Sequence, residues 1–230
     1  EIFGEETWFR IGDRDTATHL IRTNMLKNGL SLTNITKWMC EKFAIESKII
    51  PVTDSSIETR ITTDKGEMHL QEFWVKYRGR DPIEGIKYIG SDKCRPNPEA
   101  VNAIHDAQLV IIAPGNPLTS IGPMLALKGI RKELSKNKNK VVAVSPIIGN
   151  APVNGPAGKY MEAAGIDVSA FGVAKMYADV CSHFVIDTKD RMQTKKIESL
   201  NMSVHDTQIR MTNKKTEDAL GSFLLKQFHS

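Results

Sequence analysis

The sequence predicts an α/β protein with a Rossmann-like, mostly parallel sheet, helices on both faces of that sheet, and an antiparallel hairpin lobe. Two short apolar runs, 108–113 and 140–145, are rich in β-branched residues and bounded by turn residues. Such runs are typical of strands that are buried on both faces of a parallel sheet. Each run follows a helix-like segment, and strands that alternate with helices in this way form βαβ units.

The other elements of the predicted α/β body continue this alternation. Pro98 suits the first turn of a helix, and the residues that follow it lack any further breaker as far as 106. Leu125, Ile130 and Leu134 stand near helical spacing. The remaining predicted elements are helices over 98–106, 121–135 and 217–228 and a third strand over 183–187.

Residues 48–90 have a different pattern, which predicts the hairpin lobe. The segments 57–63 and 67–75 both read as strands, and they flank Asp64-Lys65-Gly66. This triplet is a hairpin signal, because glycine adopts a positive φ at little cost. Because the chain has no internal repeat and no low-complexity linker, we expect 1–230 to form a single α/β domain with this lobe attached.

Composition excludes several classes of protein. With 230 residues, 40% of them hydrophobic and 25% charged, the chain can bury a core and is neither fibrous nor disordered. Its net charge of +4 is spread along the chain, so we expect no nucleic-acid partner. No apolar stretch approaches the roughly 18 residues of a membrane helix, so we expect no membrane partner. The 3 cysteines include no CxxC pair, which favours a reducing cytoplasm.

Two loops rich in proline and glycine directly follow the two strongest strands, at 114–123 and 145–158. Ligands of open α/β sheets bind beyond the carboxyl ends of the strands. Loops of this composition approach a ligand closely and present backbone N–H groups to it. Polar side chains within them are Asn116, Ser120, Ser145 and Asn150. The alternative is that both loops are only rigid strand-to-helix turns.

A second cluster of polar residues lies at 12–23, which we expect to begin a helix near Asp13 or Asp15. Helical spacing places Asp15, His19 and Arg22 on one face, and Arg14 is free for a forked contact. Such a face can hold a phosphate or the polar edge of a ring. The alternative is an ordinary capped surface helix. The residues expected on the opposite face, toward a core, are Ala17, Leu20 and Ile21.

Three long motifs in order carry a family resemblance. They are Gly-Asp-Arg-Asp-x-Ala-Thr-His-x-Ile-Arg-Thr at 12–23, Asn-Pro-x-x-Ser-Ile-Gly-Pro at 116–123, and Val-Val-Ala-Val-Ser-Pro-Ile-Ile-Gly-Asn-Ala-Pro-Val-x-Gly-Pro-Ala-Gly at 141–158. Shorter matches stand at 169–174 and 185–187. With these motifs the chain resembles the archaeal-type CofD family, the 2-phospho-L-lactate transferases of coenzyme F-420 biosynthesis.

The resemblance implies an enzyme that transfers a 2-phospholactyl group, or in some members a phosphoenolpyruvyl group. The donor is linked to guanosine diphosphate, the acceptor is the hydroxyl of the deazaflavin Fo, and GMP is released. Phosphoryl transfer of this kind usually employs Mg²⁺ to neutralise the diphosphate. The resemblance also implies GDP binding, a homodimer and a cytoplasmic location.

Site residues follow from the same resemblance. Asp13 and Asp15 are implied as catalytic residues. Arg14, His19 and Arg22 are implied to bind the deazaflavin. The implied nucleotide-binding residues are Asn116, Pro117, Ser120, Ser145, Pro146, Gly149 and Asn150.

The start of the chain departs from the family pattern. Members of the family begin with a strand and a Gly-Gly-Thr-Gly type phosphate loop, followed by an Asp-rich segment that supplies metal ligands. Residues 1–11 match neither feature. We therefore expect that residues upstream of Glu1 are missing, and the metal ligands with them.

Two other functions compete with the transferase. A non-enzymatic regulator of the gluconeogenesis-factor type, which binds sugar nucleotides, resembles the family in its sheet and loops. The motif at 12–23 favours the transferase over this regulator. The third reading is a scaffold that binds partners through the hairpin lobe, and it predicts that alanine at Asn116 or Arg14 leaves function unchanged.

Overall fold

The structure is a computed structural model, and it describes residues 8–153 and 155–228. The expectation about residues 1–11 therefore falls mostly outside the described residues. The helices are α1 (Asp13–Lys27), α2 (Leu32–Lys42), α3 (Pro98–Asp106), α4 (Ile121–Leu125), α5 (Lys128–Lys136), α6 (Ala157–Ala163), α7 (Ala170–Tyr177), α8 (Thr194–Glu198) and α9 (Lys214–Phe228). The strands are β1 (Glu58–Thr63), β2 (Gly66–His69), β3 (Gly85–Ile89), β4 (Val110–Ile112), β5 (Val141–Val144), β6 (Ile147–Ile148), β7 (Ala151–Pro152), β8 (His183–Asp187) and β9 (Ser203–Thr207).

A parallel sheet with the strand order β4-β5-β8-β9 forms the centre of the protein. Each neighbouring pair is parallel, and Val110 stands beside Val141 while Val142 stands beside His183. The predicted α/β fold is therefore confirmed. The edge strand β9 was not predicted, because its sequence Ser-Val-His-Asp-Thr is mostly polar.

Helices cover both faces of this sheet, as the apolar runs predict. Every residue of β5 is buried. Val141 and Ala143 join the larger core cluster, which includes residues of α3, α5 and α7. Val142 and Val144 point to the opposite face and pack with Leu220 and Leu224 of α9.

The lobe contains an antiparallel sheet with the order β2-β1-β3. The hairpin at Gly66 is confirmed, because Thr63 and Gly66 are cross-strand partners. The predicted strand over 67–75 is wrong beyond His69, where one turn of π-helix, Glu72–Lys76, takes over. That turn places Phe73 in the core with no exposed surface, which a continued strand would not do.

Two of the helix predictions also differ from the structure. The segment 121–135 is divided between α4 and α5, since Leu127 leaves the helix and is fully buried. No residue of α1 is buried, so the expectation that its apolar face reaches a core is wrong: Leu20 is 67% exposed and Ile21 45%. Among the described residues, no helix is both long and apolar enough to cross a membrane.

Candidate functional site

The four parallel strands end at one edge of the sheet, and two crevices open along it. The first, which we name the aromatic crevice, has a volume of about 320 Å³. The second, the charged crevice, has a volume of about 650 Å³. The aromatic crevice is lined by Leu70, Gln71, Trp74, Pro114, Asn116, Thr119, Gly155, Pro156 and Tyr160. The charged crevice is lined by Ile148, Ala151, Pro152, Val153, Asp187, Thr188, Lys189, Gln208 and Arg210. The loop that follows β5 lies between them and contributes to both.

The aromatic crevice lies between the lobe and the parallel sheet. Trp74 comes from the π-helix of the lobe and keeps 42% of its surface exposed. Tyr160 of α6 is almost completely buried, and burial raises the pKa of its phenol to about 12. The phenol is therefore neutral at physiological pH. A crevice with an exposed indole and two prolines suits a flat, largely apolar ring.

The loop after β4 is held by its own polar groups. The Asn116 side-chain oxygen accepts hydrogen bonds from the N–H groups of Leu118 and Thr119, at 3.0 and 3.1 Å. The Tyr88 hydroxyl donates to the Leu118 carbonyl at 2.5 Å, and burial raises the pKa of this phenol to about 12. The Asn116 side chain thus lines the aromatic crevice in a fixed position. Pro117 is buried beside it, whereas Ser120 is exposed and does not line either crevice.

The loop after β5 folds back on itself as the short hairpin β6–β7. Ser145 is fully buried, and its hydroxyl accepts from the Ile147 N–H and donates to the Ile147 carbonyl. Pro146 is also buried, and its carbonyl accepts from the Val153 N–H. These two residues shape the loop from within. At its tip, Gly149 has φ of 65°, and Asn150 is exposed.

A buried carboxylate fixes the tip of this loop. Both oxygens of Asp190 lie 3.1 Å from the Gly149 nitrogen, whose N–H donates to them. The Gln193 side chain donates to Asp190 as well, and its oxygen accepts from the Phe171 N–H at the start of α7. Asp190 is 1% exposed, and this desolvation raises its pKa. The network joins the loop, the carboxyl end of β8 and α7.

A lysine of α6, the helix that follows this loop, connects that helix to the lobe. The Lys159 ammonium donates to the carbonyl oxygens of Gly79 and Arg80 and lies 5.8 Å from the centre of the Phe73 ring. These contacts hold α6 against the segment that follows the π-helix. The wall of the aromatic crevice that comes from the lobe and the wall that comes from α6 are therefore tied together.

The predicted cluster on α1 stands apart from both crevices. Asp13, Arg14, Asp15 and His19 are exposed, and Arg22 is partly buried with an Nε–H that has no partner among the described residues. No side-chain hydrogen bond or ion pair within 8–153 and 155–228 joins this cluster to either loop. The segment that precedes α1 nevertheless approaches the lobe, because the Lys76 ammonium lies 5.9 Å from the centre of the Trp8 ring.

The described part of the chain offers no cluster of three or more His, Cys, Asp or Glu residues that could hold a metal ion. The carboxylates of Asp187 and Asp190 are near each other at the carboxyl end of β8, but both accept hydrogen bonds from backbone N–H groups. These residues alone therefore do not fit a site for Mg²⁺.

Several residues that line the crevices or support their walls were missed by the sequence analysis. Trp74 and Tyr160 belong to no sequence motif, and only their positions in the folded chain identify them. Asp187 and Asp190 had a usable signal, since they are acidic residues at and just beyond the carboxyl end of a predicted strand. Of the seven residues predicted in the two loops, Asn116 lines the aromatic crevice and the other six line neither crevice. The five residues predicted on α1 also line neither crevice.

Comparison with known proteins agrees with the motifs. The family described as 2-phospho-L-lactate transferase CofD matches residues 5–220. A 2-phospho-L-lactate transferase of Methanosarcina mazei is 41% identical over 98% of this chain and 74% of its own length. The corresponding protein of Methanocaldococcus jannaschii is 43% identical over 86% of this chain and 71% of its own length.

Two further comparisons concern a phosphoenolpyruvate transferase and a solved structure. A phosphoenolpyruvate transferase of Kitasatospora aureofaciens is 36% identical over 90% of this chain and 66% of its own length. The crystal structure of a UPF0052 family member from Bacillus halodurans superposes with a TM-score of 0.57, at 15% identity, over 83% of this chain and 66% of that chain. At this identity the superposition shows a shared fold only. The family match and the identities over most of the chain show that the protein belongs to the CofD family.

Proposed function

We propose that the protein transfers a 2-phospholactyl or phosphoenolpyruvyl group from a guanosine-diphosphate-linked donor to the hydroxyl of the deazaflavin Fo. The observation that carries this proposal is membership of the CofD family, whose relatives at about 40% identity are named 2-phospho-L-lactate transferase. Relatives named phosphoenolpyruvate transferase keep both donor acids open. The transferase role in coenzyme F-420 biosynthesis is common to both groups.

The two crevices suit the two substrates of such a reaction. The aromatic crevice, with Trp74 and two prolines, matches the flat ring system of a deazaflavin. The loops after β4 and β5 supply the groups for the nucleotide: Asn116, Pro117, Ser120, Ser145, Pro146, Gly149 and Asn150. On this proposal Ser145 and Pro146 act by shaping the loop, because their side chains are buried.

The chemistry needs positioning and neutralisation of charge more than covalent help. The Fo hydroxyl oxygen forms a bond to the phosphorus that carries the acid, the bond from that phosphorus to the bridging oxygen breaks, and GMP leaves. The hydroxyl proton is lost in the same reaction. The family resemblance assigns the acceptance of that proton to Asp13 or Asp15, which are exposed carboxylates of α1 and line neither crevice in this structure.

We propose Mg²⁺ as the cofactor, because the donor carries a diphosphate whose charge has to be neutralised. Mg²⁺ is often held by one or two carboxylates together with substrate phosphates. The described residues do not by themselves form such a site. Loss of activity in EDTA, restored by added Mg²⁺, is the expected result of a simple assay.

A direct assay tests the function. The protein, Fo, the guanosine-linked donor and Mg²⁺ are incubated together, and mass spectrometry measures the gain in mass of Fo and the release of GMP. Parallel reactions with the lactate and the phosphoenolpyruvate donors identify the acid. No mass increase on Fo, together with tight binding of a UDP-sugar, would refute the transferase in favour of the regulator.

Replacement of Arg14 by alanine is expected to weaken Fo binding more than GDP binding. The reason is that Arg14 lies on α1, apart from the two loops. A lost charge-assisted hydrogen bond lowers affinity by roughly 10-fold. Titration calorimetry with Fo and with GDP measures both, and Lys27→Ala on the same helix is the control. Equal losses for the two ligands would contradict the assignment of Arg14, His19 and Arg22 to the deazaflavin.

Replacement of Trp74 by alanine is expected to raise the KM for Fo by about 10-fold, since stacking of a ring on an indole contributes about 1–3 kcal/mol. GDP affinity should stay within about 2-fold of the wild type. Trp38→Ala, on α2, is the matched control because Trp38 lines neither crevice. A change in GDP affinity without a change in the KM for Fo would place the nucleotide, not the deazaflavin, in the aromatic crevice.

The assembly and the location of the enzyme complete the proposal. We propose a homodimer, which gel filtration with light scattering tests directly. We propose a cytoplasmic location because Cys40, Cys94 and Cys181 are all free thiols, as is usual in a reducing compartment.

A further inference from the structure

The indole of Trp74 packs against the backbone of the turn that follows the π-helix. A Cβ atom at Gly79 would stand 2.7 and 2.8 Å from two carbon atoms of the six-membered ring of Trp74. Both distances are shorter than the roughly 3.5–4.0 Å of an ordinary carbon–carbon contact, so only glycine lets the ring lie this close to the chain. The position of the exposed indole in the aromatic crevice therefore depends on the position of Gly79.

The turn at 78–80 has a strained backbone. Arg78 and Gly79 both have a positive φ, of 56° and 59°. An arginine rarely adopts this conformation, which costs free energy and persists only where the surroundings hold it. Part of this hold is local, since the Gly79 N–H donates to the Phe73 carbonyl at 2.9 Å. The rest comes from outside the lobe.

Lys159 of α6 supplies the remaining hold. Its ammonium donates to the carbonyl oxygens of Gly79 and Arg80, to the second at 3.0 Å. The same ammonium lies 5.8 Å from the centre of the Phe73 ring, at the distance of a cation–π contact. Hydrogen bonds from an ammonium are stronger than neutral ones, and two of them to successive carbonyls restrain the turn. A single lysine thus holds the backbone on which Trp74 packs.

Lys159 also belongs to the helix that forms the other wall of the crevice. The next residue, Tyr160, lines the aromatic crevice, and the centre of its ring lies 6.2 Å from that of Phe73. Gly155 and Pro156, which line the same crevice, directly precede α6. One short helix therefore carries one wall and, through Lys159, determines where the wall from the lobe stands.

We propose that Lys159 is a positioning residue for the acceptor: it holds the turn at 78–80 so that the Trp74 indole stands where the ring of Fo stacks on it. The proposal rests on the proposed function, because it takes Fo as the occupant of the aromatic crevice. Lys159 itself lines neither crevice. It acts through Trp74, as supporting residues do when they fix a side chain that contacts the ligand.

The first experiment compares the kinetics of Lys159→Met with those of the wild type. Methionine keeps an unbranched, flexible side chain and removes the ammonium. The KM for Fo is expected to rise by about 10-fold, while the Kd for GDP stays within about 2-fold, because the lost charge-assisted hydrogen bonds act on the wall from the lobe. Lys159→Arg should recover most of the loss, since a guanidinium also donates to two acceptors.

Lys196→Met is the matched control for this experiment. The Lys196 ammonium also lies over a phenylalanine ring, 4.8 Å from the centre of Phe171, and neither residue lines a crevice. This variant should keep the wild-type KM for Fo. A wild-type KM in Lys159→Met would overturn the proposal.

The second experiment asks whether Lys159 acts through Trp74. Trp74→Ala alone is expected to raise the KM for Fo by about 10-fold. If Lys159 only positions the indole, adding Lys159→Met to Trp74→Ala should change the KM by less than about 2-fold, because residues that act as a unit are not additive. A lysine that stabilised the fold independently of the indole would multiply the two losses to about 100-fold, and that result would overturn the proposal.

The third experiment observes the indole directly and needs no activity. The chain contains 3 tryptophans, so incorporation of 5-fluorotryptophan gives three resonances in a fluorine NMR spectrum. Trp74→Phe identifies the resonance of Trp74. Lys159→Met is expected to shift or broaden this resonance and to leave that of Trp38, on α2, in place. An unchanged Trp74 resonance would contradict the proposed positioning.

The outcomes separate this proposal from the function on which it rests. If the wild type transfers nothing to Fo and the Trp74 resonance moves in Lys159→Met, the function is wrong and the positioning of the indole by Lys159 stands. If transfer proceeds and either the KM for Fo or the Trp74 resonance is unchanged in Lys159→Met, the proposal is wrong and the function stands. Where Lys159→Met does not fold by circular dichroism, Lys159→Gln, which keeps a neutral N–H donor, replaces it in all the experiments.

Discussion

Alanine in place of Gly172 is expected to destabilise the protein by about 3 kcal/mol. Gly172 lies in the first turn of α7, and its N–H donates to the hydroxyl of Ser169, which caps the helix. A Cβ atom at this position would stand 2.0 Å from the backbone oxygen of Asp167. Because the obstacle is backbone and not a flexible side chain, the start of α7 has to shift.

Thermal and urea unfolding measure this effect. A loss of about 3 kcal/mol corresponds to a fall in Tm of roughly 6–12 °C for a domain of this size. Gly221→Ala is the matched control, because a Cβ at Gly221 in α9 meets nothing within 4 Å. There alanine is expected to stabilise by up to about 1 kcal/mol. Equal stability of the two glycine variants would show that a Cβ atom at position 172 meets no backbone obstacle.

The parallel sheet could be predicted from the sequence because its central strands, β5 and β8, are buried on both faces. The runs at β4, β5 and β8 are continuous and β-branched, so they are recognisable without any partner. The edge strand β9 and the lobe strand β3 were missed. Their residues are only partly buried, and their pairing is decided by neighbours that are distant in the sequence.

The errors in the segments 121–135 and 67–75 have a different physical cause. Over 121–135 the spacing of Leu125, Ile130 and Leu134 fits one helix, but burial of Leu127 requires a break between α4 and α5. Over 67–75 the β-branched and aromatic residues fit a strand, but Phe73 reaches the core through a π-turn. In both places, tertiary packing outweighed local propensity.

The candidate site was predicted as far as its loops and no further. Proline and glycine after β4 and β5 pointed to the edge of the sheet at which the two crevices open, because that signal is local in the sequence. The walls of the crevices include Trp74 from the lobe and Asp187 at the end of β8, and Asp190 holds the loop after β5 from behind. Only the fold brings these residues to the same edge, so no spacing rule could identify them together.

Removal of the Asp190 carboxylate is expected to give the second large effect. Alanine leaves the Gly149 N–H and the Gln193 side-chain amide without their acceptor. An unsatisfied buried donor costs about 1–3 kcal/mol, so Asp190→Ala should lose about 2–4 kcal/mol of stability. Since Gly149 then has no anchor, GDP affinity should fall by about 10-fold as well. Unfolding and titration calorimetry measure the two effects.

The control for Asp190→Ala is Asp218→Ala. Asp218 is an exposed residue of α9 that pairs with Lys214, and a fully exposed pair of this kind contributes little to stability. This variant should leave both stability and GDP affinity nearly unchanged. A wild-type affinity for GDP in a folded Asp190→Ala variant would show that the tip of the loop does not depend on the carboxylate.

Asp190 also predicts a pH dependence of stability with a definite sign. Desolvation raises its pKa above the ordinary value of 3.8, and the charge of Asp187 raises it further, against the hydrogen bonds from Gly149 and Gln193. An acid with a raised pKa binds its proton more tightly in the folded state, so its contribution to stability is present below the unfolded pKa and is lost as the pH rises through the folded one.

Asparagine carries no such proton. Relative to Asp190→Asn, the wild type is therefore expected to be most stable near the unfolded pKa of the carboxyl group and to lose this advantage toward neutral pH. Urea unfolding of both proteins across that range measures the difference, and a difference that stays constant or grows with pH would show that the Asp190 carboxylate is not desolvated in the fold.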